Sequence, residues 1–189
     1  MLYLMLDLGL TTLRFMMSDL ATTRQLSSSV GDYLKAIWEV AGTGGASTND
    51  VAVRLSVAPA SVTNMFGRLR EMGLVEYERY RGAFLTERGL EEALRLLRRH
   101  RLIETFLLEH LGYPWKGVHE EAERLEHAVS DVFAQRLAEF LGSPERDPYG
   151  DPIPRADGTL APEESWLLDQ TKVGERVRAY RVQTSPIIG

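Results

Sequence analysis

The sequence predicts a mainly α-helical protein in which a winged helix-turn-helix precedes a second helical domain. Three observations carry this prediction. Two short amphipathic segments, separated by only a few residues, are followed by a short alternating pattern with Arg81-Gly82 at its centre. A long helical pattern follows this hairpin. It leads to a run of histidines and glutamates whose spacings of four, seven and eight place them on one face of a helix.

The composition is that of a globular protein with one or two small domains. The chain has 189 residues, of which 44% are hydrophobic and 26% charged. It has no cysteine, which excludes disulfides, zinc–thiolate sites and iron–sulfur clusters. The apolar start, MLYLMLDLGL, is too short to span a bilayer and lacks a basic leader region. We therefore expect a cytoplasmic protein with no membrane partner.

Charge is distributed unevenly along the chain. Residues 46–101 carry ten arginines and seven acidic residues, a net charge of +3. Residues 102–171 carry five basic and fifteen acidic residues, a net charge of −10. This asymmetry suits a protein that presents one surface to a polyanion and another to cations. Two solvated helical surfaces of uneven charge would explain it equally well.

Three helices are expected before the hairpin. Ser27 opens a segment whose apolar residues fall at helical spacing, and the glycines at 42, 44 and 45 end it. A short second helix follows, with Ser47 or Thr48 as its cap. The third helix begins near Pro59, which fits a first turn, and stops at Gly73.

The order of these elements favours DNA binding over a three-helix bundle with an incidental hairpin. In a helix-turn-helix the second helix of the pair enters the major groove of DNA, and the hairpin forms the wing. Short polar side chains on that helix suit base edges and phosphates, and arginines suit backbone phosphate. They could also be ordinary surface residues. The predicted DNA-binding residues are Thr48, Ala60, Ser61, Thr63, Asn64, Arg68 and Arg81.

The second domain is expected to contain two long helices, over residues 86–110 and about 118–141, followed by a linker over 142–158. The first places His100 four residues before Glu104, and the second carries the run VHEEAERLEH. Histidine and carboxylate ligands without a thiol suit Mn(II) or Fe(II). A di-iron enzyme would need two Glu-x-x-His repeats, and neither Glu104 nor Glu123 has a histidine three residues later. No nucleophile triad or phosphate loop stands out, so we do not expect an enzyme.

At residues 27–154 the chain resembles the metal-dependent repressors of the diphtheria toxin repressor and manganese transport regulator family. The resemblance rests on the winged helix-turn-helix and three motifs, H-R-L-x-E at 100–104, V-H-x-E-A-x-x-x-E-H-x-x-S-D at 118–131, and D-P-Y-G-D-P-I-P at 147–154. It implies a DNA-binding domain, a dimerisation and metal-binding domain, and the truncated start of an SH3-like third domain. The corresponding boundaries are an N-terminal extension over 1–26 and domains over 27–91, 92–160 and 161–189.

The resemblance also implies two metal sites and a metal preference. The primary site would consist of Asp32, Glu123, Glu126 and His127, and the ancillary site of His100, Glu104 and His119. Iron-responsive members carry cysteine at the position of Glu123 and methionine at that of Asp32, so oxygen ligands here favour Mn(II) over Fe(II). Lys35 stands where the small manganese regulators carry another glutamate, which argues against a two-manganese cluster of their type.

The expected function is a homodimeric regulator that binds a palindromic operator in double-stranded DNA with the metal as co-repressor. A bound ion would join Asp32 on the first helix to ligands on the dimerisation helix and set the spacing of the recognition helices. Without metal, the clustered carboxylates would repel and the two arms would spread. Two alternatives stay open: an iron-responsive repressor of the same family, and a winged-helix regulator of a non-metal ligand whose His/Glu face is only a salt-bridged surface.

Overall fold

The computed structural model describes residues 26–41, 44–78 and 81–160. The expectations for the N-terminal extension and for the SH3-like third domain therefore fall outside the described residues, apart from Leu26. The elements in chain order are α1 (Ser28–Ala41), α2 (Thr48–Leu55), α3 (Pro59–Glu71), β1 (Val75–Glu78), β2 (Gly82–Leu85), α4 (Glu87–Glu109), α5 (Val118–Glu126) and α6 (Asp131–Phe140). This mainly α-helical architecture confirms the predicted fold class.

The first three helices and the hairpin enclose one hydrophobic core. Their buried residues lie at helical spacing and include Val30, Leu34, Ile37, Val51, Val62, Phe66 and Leu69, all fully buried. The strands pair antiparallel, with Val75 opposite Leu85, and β2 also bridges to Ala46 just before α2. The hairpin is thereby attached to the helix-turn-helix as a wing.

Local signals set the helix ends in this domain. Ser47 caps α2, since its side chain accepts a hydrogen bond from the backbone N–H of Asp50. Thr48 is therefore the first helical residue rather than the cap. Pro59 begins α3. The N–H groups of the first helical residues have no partner within the helix, so the missing N–H of proline costs no hydrogen bond there.

Helix α4 connects the two domains and contributes to both cores. Its early residue Ala93 packs in the first core, while Leu102, Ile103 and Leu107 pack in a second core with α5 and α6. Gly89 allows the start of α4 to approach the wing closely, because a Cβ there would lie 1.9 Å from the carbonyl oxygen of Leu74. A helix of 23 residues is about 35 Å long, enough to cross both domains.

The single helix predicted over 118–141 is wrong, because the chain forms two helices there. Helix α5 ends at Glu126, and α6 starts at Asp131 after the short segment 127–130. Ser130 caps the new helix by accepting a hydrogen bond from the backbone N–H of Phe133 at 3.1 Å. The Ser-Asp pair at 130–131 is a helix-start signal within the apolar periodicity. The break turns α6 back onto α4.

Among the described residues, no helix is both long and apolar enough to cross a membrane.

Candidate metal centres and DNA-binding surface

The first candidate metal centre lies where α1 meets α5. Asp32 Oδ1 is 2.7 Å from His127 Nε2, and the same histidine nitrogen is 3.5 Å from Glu126 Oε1. Each of the three residues offers one ligand atom, and these atoms lie within 4.8 Å of one another. The structure thus brings together three of the four residues predicted for the primary site, although Asp32 is 95 positions away from His127 in the sequence.

A glycine makes this contact between domains possible. Gly31 precedes Asp32 on α1 and faces the dimerisation domain. A Cβ at this position would lie 3.0 Å from Leu96 Cδ2 and 3.3 Å from His127 Cε1, tighter than ordinary van der Waals contact. A side chain there would require the Leu96 and His127 side chains to move by a few tenths of an ångström. Sequence reasoning missed Gly31, because a glycine within a helical pattern does not indicate what it faces.

The second candidate centre contains the three residues predicted for the ancillary site. His119 Nδ1 is 2.9 Å from Glu104 Oε1, and His100 Nε2 is 3.2 Å from the same oxygen. His100 and Glu104 are buried, whereas His119 is about half exposed. The three ligand atoms lie within 4.8 Å of one another, with His119 on the solvent side.

Protonation in this second centre is set by burial and by its own hydrogen bonds. Burial alone would lower the pKa of His100, but hydrogen bonds to Glu104 and Glu126 raise it above its ordinary value. Burial would raise the pKa of Glu104, yet its hydrogen bonds to His100 and His119 lower it to about 2. Glu104 is therefore ionised, as a metal ligand must be.

Glu126 links the two centres. Its side chain is fully buried, and its Oε2 accepts a hydrogen bond from His100 Nδ1 at 2.6 Å. Its Oε1, the oxygen nearer to His127, accepts one from the ammonium of Lys35 at 2.7 Å. The two predicted sites thus share a carboxylate, which the spacing of ligands along the sequence did not show.

Lys35 alters the expected electrostatics of the primary site. Its ammonium is buried among the carboxylates, and its Nζ also lies 4.0 Å from Glu123 Oε1. This positive charge offsets the mutual repulsion on which the expected spreading of the arms depended. The Lys35–Glu126 and Asp32–His127 pairs both join α1 to α5 directly.

Glu123 lies between the two centres and outside both three-residue clusters. Its Oε1 is 3.3 Å from His119 Nε2 of the ancillary cluster, and its side chain is 43% exposed. The resemblance assigns Glu123 to the primary site, whereas in the structure its carboxylate lies next to His119 of the ancillary cluster. Its assignment to the primary site stays a prediction.

The donor atoms of both clusters fit a divalent first-row ion. Two ligands at right angles, each about 2.1 Å from a metal, are about 3 Å apart. The separations of 2.7 to 3.5 Å within the clusters are close to that value. All donors are imidazole nitrogen or carboxylate oxygen, the ligand class that suits Mn(II) and Fe(II).

The predicted DNA-binding residues lie on the helix-turn-helix and its wing. On α3, the residues Ala60, Ser61, Thr63, Asn64 and Arg68 are exposed, opposite the buried Val62, Phe66 and Leu69. The Thr63 hydroxyl donates to the carbonyl of Pro59 within its own helix. Thr48 is only partly exposed, at the start of α2.

Arg81 lies at the wing and is exposed. Its guanidinium donates to Glu78 at 2.7 Å and stacks over the Phe84 ring at 5.3 Å.

Two family models match the chain, one for each domain. Residues 25–83 match the N-terminal DNA-binding domain of the iron-dependent repressors. Residues 86–155 match the metal binding and dimerisation domain of the same proteins. Together the two matches cover the described fold from α1 to the linker.

The curated relatives are transcription regulators and repressors. The chain is 42% identical over 118 residues to an uncharacterised HTH-type transcriptional regulator of Methanocaldococcus jannaschii, covering 61% of this chain and 94% of that protein. It is 31% identical over 178 residues to the diphtheria toxin repressor of Corynebacterium glutamicum, covering 91% of this chain and 75% of the relative. It is 36% identical over 121 residues to the regulator MntR of Lysinibacillus sphaericus, covering 64% and 86%.

Solved structures agree with this relationship. A manganese-dependent transcriptional repressor in complex with manganese is 43% identical, with a TM-score of 0.67 over 76% of this chain and 66% of that one. The manganese regulator SloR is 41% identical, with a TM-score of 0.64 over 71% and 63%. The chain also spans 58% of the iron-dependent repressor IdeR of Mycobacterium tuberculosis. On these matches, the chain belongs to the diphtheria toxin repressor and manganese transport regulator family of metal-dependent transcription repressors.

Proposed function

We propose that this chain is a manganese-responsive repressor that acts as a homodimer in the cytoplasm, with Mn(II) as co-repressor for binding a palindromic operator. One observation carries the proposal: Asp32, on the first helix of the DNA-binding domain, lies 2.7 Å from His127 at the end of α5. Bound there, an ion would join the two domains and favour one orientation of the recognition helix. Metal and DNA would then bind with positive and reciprocal coupling.

The ligand set supports manganese over iron. Asp32 and Glu123 supply carboxylates where the resemblance places sulfur in iron-responsive members, and the chain has no cysteine. Relatives named for either metal match the chain, among them the repressor IdeR and the manganese regulator SloR. Iron is therefore the alternative that the experiment must distinguish.

The roles of the individual residues follow from their positions. Asp32, Glu126 and His127 would hold the primary ion, with Glu123 as the exposed fourth ligand, and His100, Glu104 and His119 the ancillary ion. Ser61 and Asn64 on the exposed face of α3 would contact base edges, while Arg68 and Arg81 would contact phosphates. This role is regulatory and needs no catalytic group.

The test measures DNA binding by fluorescence anisotropy with the promoter DNA of the chain's own gene. Parallel titrations contain Mn(II), anaerobic Fe(II), Zn(II) or a chelator. We expect tight binding with Mn(II) and at least a tenfold loss in chelator, about 1.4 kcal/mol of coupling. Equal binding in chelator would refute a metal switch and favour the non-metal winged-helix alternative.

One substitution tests the bridge between the domains. Asp32→Ala removes the only predicted ligand on the DNA-binding domain, so we expect it to abolish the Mn(II) dependence of DNA binding. Asp157→Ala, which removes an exposed carboxylate from the linker, serves as the matched control. The bridge is wrong if Asp32→Ala binds both Mn(II) and DNA as tightly as the parent chain.

A further inference from the structure

The feature that the proposed function does not use is the buried ammonium of Lys35. Its side chain is only 6% exposed, and it lies on α1, one turn after Asp32. The Nζ atom is 2.7 Å from Glu126 Oε1 and 4.0 Å from Glu123 Oε1. A positive charge of the protein itself therefore lies among the carboxylates of the primary site.

The two oxygens of Glu126 are both engaged. Oε2 is bound to His100 Nδ1 of the ancillary cluster, and Oε1 is bound to Lys35. The oxygen on the side of His127 is Oε1, at 3.5 Å from Nε2. A divalent ion held by Asp32, His127 and Glu126 would thus share Oε1 with the Lys35 ammonium. The two positive charges would then lie close to the fully buried Glu126 carboxylate, where screening by water is weak, although Asp32 is 41% exposed.

From this geometry we propose that Lys35 sets the metal affinity of the primary site. Its ammonium competes with the divalent ion for Glu126 Oε1 and repels it, which raises the metal concentration at which the repressor responds. The inference rests on the proposed function, because it requires Asp32, Glu126 and His127 to be metal ligands.

A purely structural role for Lys35 leads to the opposite expectation. The Lys35–Glu126 ion pair joins α1 to α5 and could serve only to hold the two domains in register. Removal of the ammonium would then loosen the site and weaken metal binding. If the ammonium instead competes with the ion, its removal strengthens metal binding. The sign of the change in affinity separates the two roles.

The experiment measures Mn(II) binding to the full chain by calorimetry and by the electron paramagnetic resonance signal of free Mn(II). The informative variant is Lys35→Gln, whose amide can still donate to Glu126 but carries no charge. We expect it to bind Mn(II) at the primary site about tenfold more tightly than the parent. Lys35→Arg retains the charge and should stay within about threefold of the parent. Lys116→Gln, at an exposed lysine, is the control for net charge.

One further variant assigns the effect to the primary site. His119→Ala removes a ligand of the ancillary cluster alone, so the Lys35→Gln effect should persist in that background.

Several outcomes would overturn the inference without affecting the proposed function. If Asp32→Ala abolishes Mn(II) binding but Lys35→Gln binds Mn(II) equally or more weakly than the parent, only the role of Lys35 fails. If the parent binds no Mn(II), the proposed function fails as well. Should Lys35→Gln unfold in chelator, refolding at Mn(II) concentrations below those that fill the parent's primary site would support competition, because coupled folding can only weaken the apparent affinity. Refolding only at higher concentrations would contradict it. Failure to refold with Mn(II) would show that the ammonium is structural.

Discussion

At the scale of single residues, the two candidate metal centres depend on buried charged groups that form ion pairs and hydrogen bonds with one another. Glu126 and Lys35 are nearly inaccessible, and each is tolerated there because it has an oppositely charged or hydrogen-bonding partner within 2.7 Å. His100 and Glu104 form a similar pair next to them. Metal sites of this kind need ionised carboxylates and neutral imidazoles, so the protonation of these residues governs metal binding.

The raised pKa of His100 makes the stability of the metal-free protein dependent on pH. Because folding raises this pKa, the folded state binds the proton more tightly than the unfolded state, whose ordinary value is 6.5. We expect the contribution of this group to be complete below about pH 6.5 and to be lost as the pH rises through the folded pKa. Urea unfolding in the presence of a chelator, from pH 5.5 to 8.5, measures this contribution to the free energy of unfolding.

His100→Gln should remove this part of the pH dependence, whereas the exposed His110→Gln should retain it. An unchanged slope in His100→Gln would contradict the assignment. Mn(II) binding has the complementary dependence, because the ion must displace the His100 proton. The affinity of the ancillary site should therefore increase with pH over the same range.

Arg101 provides a second prediction at this scale, since it attaches the linker to α4. Its guanidinium donates to the carbonyl of Pro152 and lies 3.6 Å from the buried Asp147, over the ring of Trp38. Arg101→Met would leave Asp147 without its cation and cost about 3 kcal/mol of unfolding free energy. Arg136→Met, which removes an exposed ion pair with Glu139, should cost under 1 kcal/mol. Denaturant unfolding of both variants tests the difference, and equal losses would refute it.

At the scale of elements, the break between α5 and α6 decides how the second domain presents its apolar surface. Ser130 begins a new helix, so Ala134, Leu137 and Ala138 pack inward. Val132, Phe133 and Phe140 remain exposed by 73%, 49% and 64%. The Phe140 ring also contacts Phe106 and His110, with centroids 5.9 and 5.0 Å apart. Apolar residues exposed together in this way are typical of an interface.

We propose that Phe140 lies in the homodimer interface. Phe140→Glu would place a charge at that interface on both subunits, because a two-fold interface repeats each residue. We expect the dimer dissociation constant, measured by analytical ultracentrifugation, to rise about a hundredfold or more. Val53→Glu, at an exposed valine of the DNA-binding domain, should leave it unchanged. A Phe140→Glu chain that remains fully dimeric would place the interface elsewhere.

At the scale of the whole molecule, one carboxylate connects both domains and both candidate metal centres. Glu126 contacts Lys35 on α1, His100 on α4 and His127 beside it. Glu126 is thus connected to the DNA-binding domain through Lys35 on α1 and, by way of His100, through α4, which packs in both hydrophobic cores. A ligand at either centre would thus bias the same arrangement of domains.

Glu126→Gln tests this connection. The substitution keeps the shape but removes the charge, and it leaves the buried Lys35 ammonium with the more distant Glu123 carboxylate, 4.0 Å away, as its ionic partner. We expect a loss of about 3 kcal/mol in unfolding free energy in chelator, and a much smaller increase in Tm on addition of Mn(II). Thermal unfolding with and without Mn(II) measures both effects. Glu120→Gln, exposed on the same helix, should behave as the parent, and similar behaviour of Glu126→Gln would refute the shared role.

Much of this protein follows from its sequence alone. Helical periodicity, the cap at Ser47 or Thr48 and the Arg81-Gly82 turn predict the helices and the wing, because these signals act over a few residues. Local spacing also places His100 and Glu104 one helical turn apart, whereas the assignment of His119 to the same ancillary set came from the family resemblance. The single helix over 118–141 was wrong because its apolar periodicity continues across the Ser130 cap.

Only the tertiary structure decided how the centres are connected. Asp32 and His127 are 95 residues apart, and Lys35 and Glu126 are 91 apart, so no local pattern could show that they meet. Their contacts depend on the packing of α1 against α4 and α5, which Gly31 permits. Local interactions are set by the order of residues along the chain. The buried Lys35 ammonium beside Glu126 depends instead on which distant helices pack together. Charged groups that are buried next to each other must neutralise one another.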